Sequence, residues 1–279
     1  MIRFQRQRQI CHRVCCINLD SWGSFVKNWN EFIHAVQDHL AKLELEGCDV
    51  PFFRGHADNN WQLLCGLGRQ MSSAKKMENI ERVLYYDFLS LGGGLLGKQA
   101  DSWDVLFSMQ HHGLPTRLLD WSTTFAAALY FALRPYMLLP GFPEVTCLQT
   151  SPCIWILNPF ELNQMAQLDS AIGNPQIDFD GTYQENFIEK SKNIGASAVA
   201  IGPTQHTSRQ TAQRSVFTLH ADLSLPLDAI ACNAAKKFDI PLECVSHAGS
   251  FLRLAGLNEF SVFPDLDGLA RHLKNLHAS

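Results

Sequence analysis

Between residues 21 and 46 the apolar positions Phe25, Trp29, Phe32, Ile33, Val36, Leu40 and Leu43 recur mostly at gaps of three and four. That spacing lays one apolar stripe along a helix. Gly47 and Pro51 close it. Val50 to Arg54 then reads as a short buried strand ending at Gly55. A second stripe, Ile80, Leu84, Phe88 and Leu91, predicts a helix over 78–91. Gly92-Gly93-Gly94 ends it, without the Lys-Ser/Thr that would make a phosphate-binding loop. Residues 102–112 predict a third helix, followed by the turn Gly113-Leu114-Pro115 and an extended segment, Thr116 to Trp121. Ser122 or Thr123 caps an apolar helix from Thr124 to Leu133, stopped before Pro135.

The second half is patchier. Cys153 to Asn158 is a continuous apolar run suited to a central strand, and Pro159 opens a short helix toward Gln167. Ala196–Ile201 and Ser215–His220 read as strands, Leu242–Gly256 as a helix, Phe260–Phe263 as a strand, and Asp265–Leu276 as a closing helix. Residues 1–20 read as an irregular arm and 138–152, with three prolines, as a surface insertion; 169–195 carries no clear period. The expectation is one α+β domain over residues 21–279, with a central mixed, mostly antiparallel sheet flanked by helices.

Composition narrows the function classes. Of 279 residues 46% are hydrophobic, which excludes a disordered chain, and only 18% are charged. A net charge of −4 supplies no global basic field, so nucleic acid is a disfavoured partner unless a local patch forms. No run of 18 uncharged apolar residues occurs, so no membrane span is expected. The opening MIRFQRQRQI lacks the apolar core of a secretory signal. Nine cysteines, an odd number without zinc-site spacing, read as free thiols in a reducing cytoplasm, with no metal.

Three segments carry polar groups that a core does not need. In Phe52-Phe53-Arg54-Gly55-His56, an arginine ends an apolar strand, where burial is costly unless it meets an anion or several acceptors. Gly55 permits close approach of a ligand or a sharp turn. Alone, this arginine reads equally as a tie to carboxylates or carbonyls. The run from Gln110 to Thr123 gathers His111, His112, Arg117, Asp120, Trp121, Ser122 and Thr123. Adjacent histidines cannot share one side of a strand, so one is a candidate acid or base and the other structural. Asp120 caps the next helix or pairs with Arg54 or Arg117. The third segment, Arg209 to His220, sets Arg209 and Gln213 ahead of an apolar strand.

Together these blocks resemble the FRG domain family, named for an aromatic-Arg-Gly motif. Phe53-Arg54-Gly55 with Trp61 and Arg69 resembles the opening motif, and Gln110 to Ser122 followed by Ala128-Leu129-Tyr130-Phe131-Ala132 resembles the central one. Arg209, Gln213 and Phe217 are similar to the third block, and Phe263 to Gly268 to the last. The resemblance implies a bacterial or phage-related protein in defence or toxin contexts. The order of strands and helix also resembles ADP-ribosyltransferases. That likeness implies NAD as substrate, with Arg54 on its phosphates and Ser122-Thr123 on the nicotinamide side. A late catalytic glutamate is expected where this chain has Gln213 and Ser215, leaving Asp120 as substitute only if it reaches the ribose. The candidate site is therefore His111, His112, Asp120 and Gln213 for chemistry, and Arg54, Gly55, Arg117, Trp121, Ser122, Thr123 and Arg209 for the cofactor. Three functions compete: an NAD-consuming enzyme or toxin acting on a macromolecular target, a catalytically silent sensor of a nucleotide or phage component, and a metal-independent nuclease.

Overall fold

A computed structural model describes residues 28–70, 74–96, 100–137, 150–168, 172–190, 198–203 and 207–277. Six strands form one sheet: β1 (Phe52–His56), β2 (Leu118–Ser122), β3 (Cys153–Leu157), β4 (Ala198–Ile201), β5 (Ser215–His220) and β6 (Ala235–Asp239). Their order is β4-β5-β2-β1-β3-β6, and every pairing is antiparallel. The helices are α1 (Trp29–Leu45), α2 (Gly66–Gln70), α3 (Ala74–Gly92), α4 (Ser102–His111), α5 (Phe125–Met137) and α6 (Pro159–Met165), followed by α7 (Pro175–Asp178), α8 (Ser208–Gln213), α9 (Leu227–Ile230), α10 (Val245–Leu254), α11 (Glu259–Val262) and α12 (Leu266–His277). This is an α+β fold. Among the described residues no helix is long and apolar enough to cross a membrane.

The sheet is two three-stranded halves. β1 pairs with β3 along its whole length and β2 with β5 along its whole length, but β1 and β2 share only the pair Phe53–Ser122. Because side chains alternate, each half presents one face to each core layer. On one face Phe53, Ile154 and Ile156 pack against α1, α5 and α10. Leu118, Phe217 and Leu219 continue that face under α3 and α4. On the other face Phe52, Leu119, Trp121, Trp155 and Val216 pack with Leu162, Leu227 and Ala231.

Several boundaries differ from expectation for identifiable reasons. The first strand starts at Phe52 and runs to His56. α5 passes through Pro135 and ends at Met137; its last turn is held where the Tyr136 hydroxyl donates to the Ala57 carbonyl at 2.6 Å. Phe260–Phe263 is not a strand. Asn258 caps α11, accepting from the amides of Phe260 and Ser261, and four apolar-rich residues carry no period with which to resist that cap. The residues ahead of β5 form α8, capped by Thr207 and ended by Arg214 in the left-handed region at φ 46°. Residues 175–178 are α7 and 184–188 a π-turn, within the stretch that showed no period. The arm 1–20 and most of the insertion 138–152 lie outside the described residues. Cys48, Cys65, Cys153, Cys232 and Cys244 are free thiols, and the other four cysteines lie outside the described residues.

Candidate functional site

On the α4 side of the sheet a small pocket is lined by Gln110, His111, Asp120, Arg209, Gln210, Gln213, Ser215 and Phe217. Each element delivers its part by simple geometry. Asp120 and Ser122 alternate onto this face of β2, opposite Phe217 and Ser215 of β5. Arg209 and Gln213 are four residues apart on α8 and so share a helix face. Gln110 and His111 end α4.

Asp120 is exposed but not loose. Gln110 Nε2 donates to its Oδ2 at 2.7 Å, and the Gln110 carbonyl accepts from the buried Thr116 hydroxyl at 2.5 Å. The Thr116 oxygen in turn accepts from the Leu118 amide at 3.0 Å, which fixes the Gln110 amide in one orientation. Arg209 lies over the Phe263 ring, 4.8 Å from its centre, and makes no ion pair with a described residue. Burial lowers the pKa of His111, helped by His112 and Arg209 and opposed by Asp265, so its imidazole is neutral at pH 7. Gln213 Nε2 donates to the Val262 carbonyl at 3.2 Å. The pocket volume is about 40 Å³, room for about three waters and far less than a whole dinucleotide.

Sequence reasoning thus found four of the lining residues: His111, Asp120, Arg209 and Gln213. It did not select Gln110, Gln210, Ser215 or Phe217. Gln110 and Phe217 stand in the motif blocks with no role assigned to them: Gln110 was legible as a polar neighbour of His111, whereas Phe217 has the chemistry of a core aromatic.

The other expected site residues lie elsewhere. Arg54 alternates onto the opposite face, between Phe52 and His56, and its side chain is not in the pocket. Its Nη1 donates to the Asp120 main-chain carbonyl at 2.5 Å and its Nε to His56 Nε2 at 3.0 Å. Burial pushes its pKa down to about 10, with Asp120 opposing the shift, so it remains a cation at neutral pH. Gly55 serves helix packing rather than a ligand: a Cβ there would sit 1.9 Å from the Ala128 carbonyl oxygen and 2.6 Å from the Ala132 nitrogen of α5.

Arg117 is fully committed. It is 2% exposed, forks onto both oxygens of Glu81 and donates to the His220 carbonyl at 2.8 Å. Its guanidinium covers the Phe187 ring at 4.2 Å. Burial works against its charge, but Glu81 more than offsets this and raises its pKa. Trp121 is buried on the Arg54 face, where its indole donates to the Thr218 hydroxyl at 3.1 Å. Ser122 accepts from the Thr124 amide at 3.0 Å, as a cap should, and donates to the Gln213 carbonyl at 2.7 Å. The Thr123 amide donates to the Arg214 carbonyl at 3.1 Å. His112 is an exposed C-cap outside the pocket, its ring 5.0 Å from that of His111.

The family model for the FRG domain matches residues 50–137, the stretch from β1 to the end of α5. The chain thus carries an FRG domain over this stretch. Comparisons with curated proteins and with solved structures gave no match. Within the matched stretch lie Gln110, His111 and Asp120; Arg209, Gln213 and Ser215 come from beyond it.

Proposed function

We propose that this FRG-domain protein binds NAD or a closely related nucleotide at the Asp120–Arg209 pocket and consumes it. One observation carries the reading: an exposed carboxylate locked by Gln110 and a guanidinium without an ion pair among the described residues share one polar pocket. A guanidinium suits a phosphate and a carboxylate suits a ribose. The pocket is small, so it takes only the parts of the nucleotide that meet Arg209 and Asp120, and the remainder lies across the surface.

The chemistry is then a displacement at the ribose C1′. The bond to nicotinamide breaks with its electron pair passing to the ring nitrogen, which leaves neutral. Asp120 stabilises the positive charge developing on the ribose. A water or a hydroxyl of a macromolecular target bonds to C1′ and gives its proton to neutral His111. The FRG resemblance supplies the setting, bacterial or anti-phage defence in the cytoplasm. The nuclease alternative loses support because Arg54 and Arg117 are both tied to protein groups.

A second reading, a nucleotide sensor without turnover, is favoured by Gln213 and Ser215 standing where the transferase likeness expects an acid. Incubation with NAD separates the two, reading nicotinamide release and added ADP-ribose by mass spectrometry and binding by calorimetry. Turnover lost in Asp120→Asn with binding retained supports the enzyme. Binding without release by the parent protein supports the sensor, and absence of binding ends both.

A further inference from the structure

Three guanidiniums surround one aromatic ring behind the pocket. Arg209, Arg134 and Arg271 lie 4.8, 5.0 and 5.4 Å from the centre of Phe263. Glu259 serves two of them: its Oε1 accepts from Arg134 Nη2 at 3.1 Å and from Arg271 Nε at 2.7 Å. The other Glu259 oxygen accepts the Tyr130 hydroxyl. Arg209 is the one left without a carboxylate among the described residues.

The ring itself cannot drift. Phe263 is 5% exposed and meets Phe131 edge-on, with centroids 6.1 Å apart and planes at 90°. Its amide donates to the Glu259 carbonyl at 2.9 Å. α12 presses so closely on it that a Cβ at Gly268 would fall 1.9 Å from the Phe263 carbonyl oxygen. Gln213, at the end of α8, is tied to the neighbouring Val262 carbonyl.

We infer that Phe263 is a positioning residue of the pocket: its ring holds Arg209, the guanidinium that Glu259 leaves unpaired, in the pocket lining beside His111 and Asp120. The inference deepens the nucleotide-binding reading and rests on it for the ligand. A long arginine stem that is already immobilised loses less freedom when it meets a phosphate, so a fixed Arg209 binds more tightly than a free one. The helix pair α11–α12, outside the stretch that matches the family, thereby completes the site.

The test uses Phe263→Leu, which removes the ring and keeps most of the volume, and Phe263→Tyr, which restores a ring. NMR titration of His111 reports where Arg209 sits without any nucleotide. The groups that act on that imidazole are His112, Arg209 and Asp265, with Asp120 sharing the pocket. The expected result is a higher His111 midpoint in Phe263→Leu, recovered in Phe263→Tyr. In an Arg209→Gln background Phe263→Leu should no longer move it. NAD affinity should weaken about fivefold in Phe263→Leu, the size of one lost cation–π contact.

An unmoved midpoint in folded Phe263→Leu, or an equal shift with Arg209 already replaced, overturns the inference. The unaltered protein gives an independent reading: Arg209 side-chain protons should be shifted upfield by the ring, and ordinary shifts overturn the inference even if the variants do not fold. If the parent binds no NAD, the functional reading fails while the titration still decides the role of Phe263.

Discussion

Arg54 holds Asp120 by its main chain while the two side chains leave the sheet on opposite faces. The arginine therefore acts on the site from behind. It spans the seam where β1 and β2 have only one ladder pair, and it supplies a bond there that the backbone does not.

Arg54→Lys keeps the charge but loses the fork, so it cannot reach both the Asp120 carbonyl and His56. A charge-assisted bond of this kind contributes about 1.5–3 kcal/mol. Denaturant unfolding should show a loss of that order, while NAD affinity of the folded variant stays within about threefold of the parent. A tenfold loss of affinity at unchanged stability would return Arg54 to the ligand.

Glu81 and Arg117 form a buried pair to which Tyr183 also donates. Glu81→Gln leaves a buried guanidinium without its counter-charge, which typically costs about 3–5 kcal/mol. The variant should unfold at markedly lower urea concentration, and an unchanged midpoint would show the pair to be dispensable.

Burial depresses two histidines on the Arg54 face, His56 and His220, each to about 3, with Arg54 adding to the effect for His56 and Arg117 for His220. Both are neutral when folded and take a proton at about 6.5 when unfolded. The unfolded chain thus binds more protons below pH 6.5, and stability falls as the pH drops from there toward 3. The slope is about 1.4 kcal/mol per pH unit for each histidine. Urea midpoints at pH 7, 6 and 5 should decline, and His220→Gln should flatten the curve. An unaltered slope in that variant removes His220 from the account.

Gly55→Ala places a methyl group inside the backbone of α5, with no flexible side chain to yield. Overpacking of this kind costs about 1–3 kcal/mol or more. The expected outcome is a lower melting temperature or insoluble expression. Melting like the parent would show that α5 can step away from β1.

What was legible in the chain followed local physics. Ser215–His220, dense in Val, Phe, Thr and Leu, reads as a strand and is one. The cap at Ser122 and the short helix opened by Pro159 are likewise visible in short windows. β6 escaped because an edge strand of sequence AKKFD exposes both lysines and so shows no apolar run. The arginines were recognised as unusual but not placed. Arg54 needed the Phe53–Ser122 register to show which face it takes, and Arg117 needed Glu81, 36 residues away on α3. Such long-range pairings leave no mark on local spacing.

The single rung between β1 and β2 also bears on what can fold alone. Among the described residues, 50–137 contain only these two strands, whose other neighbours, β3 and β5, come later in the chain. Expressed by itself, the FRG-matching segment would have two strands with almost nothing to zip to, and bare edges along both. The stretch marked by family likeness is a signature carried by the fold, and the autonomous unit must extend at least through β5 and the helices that close over it.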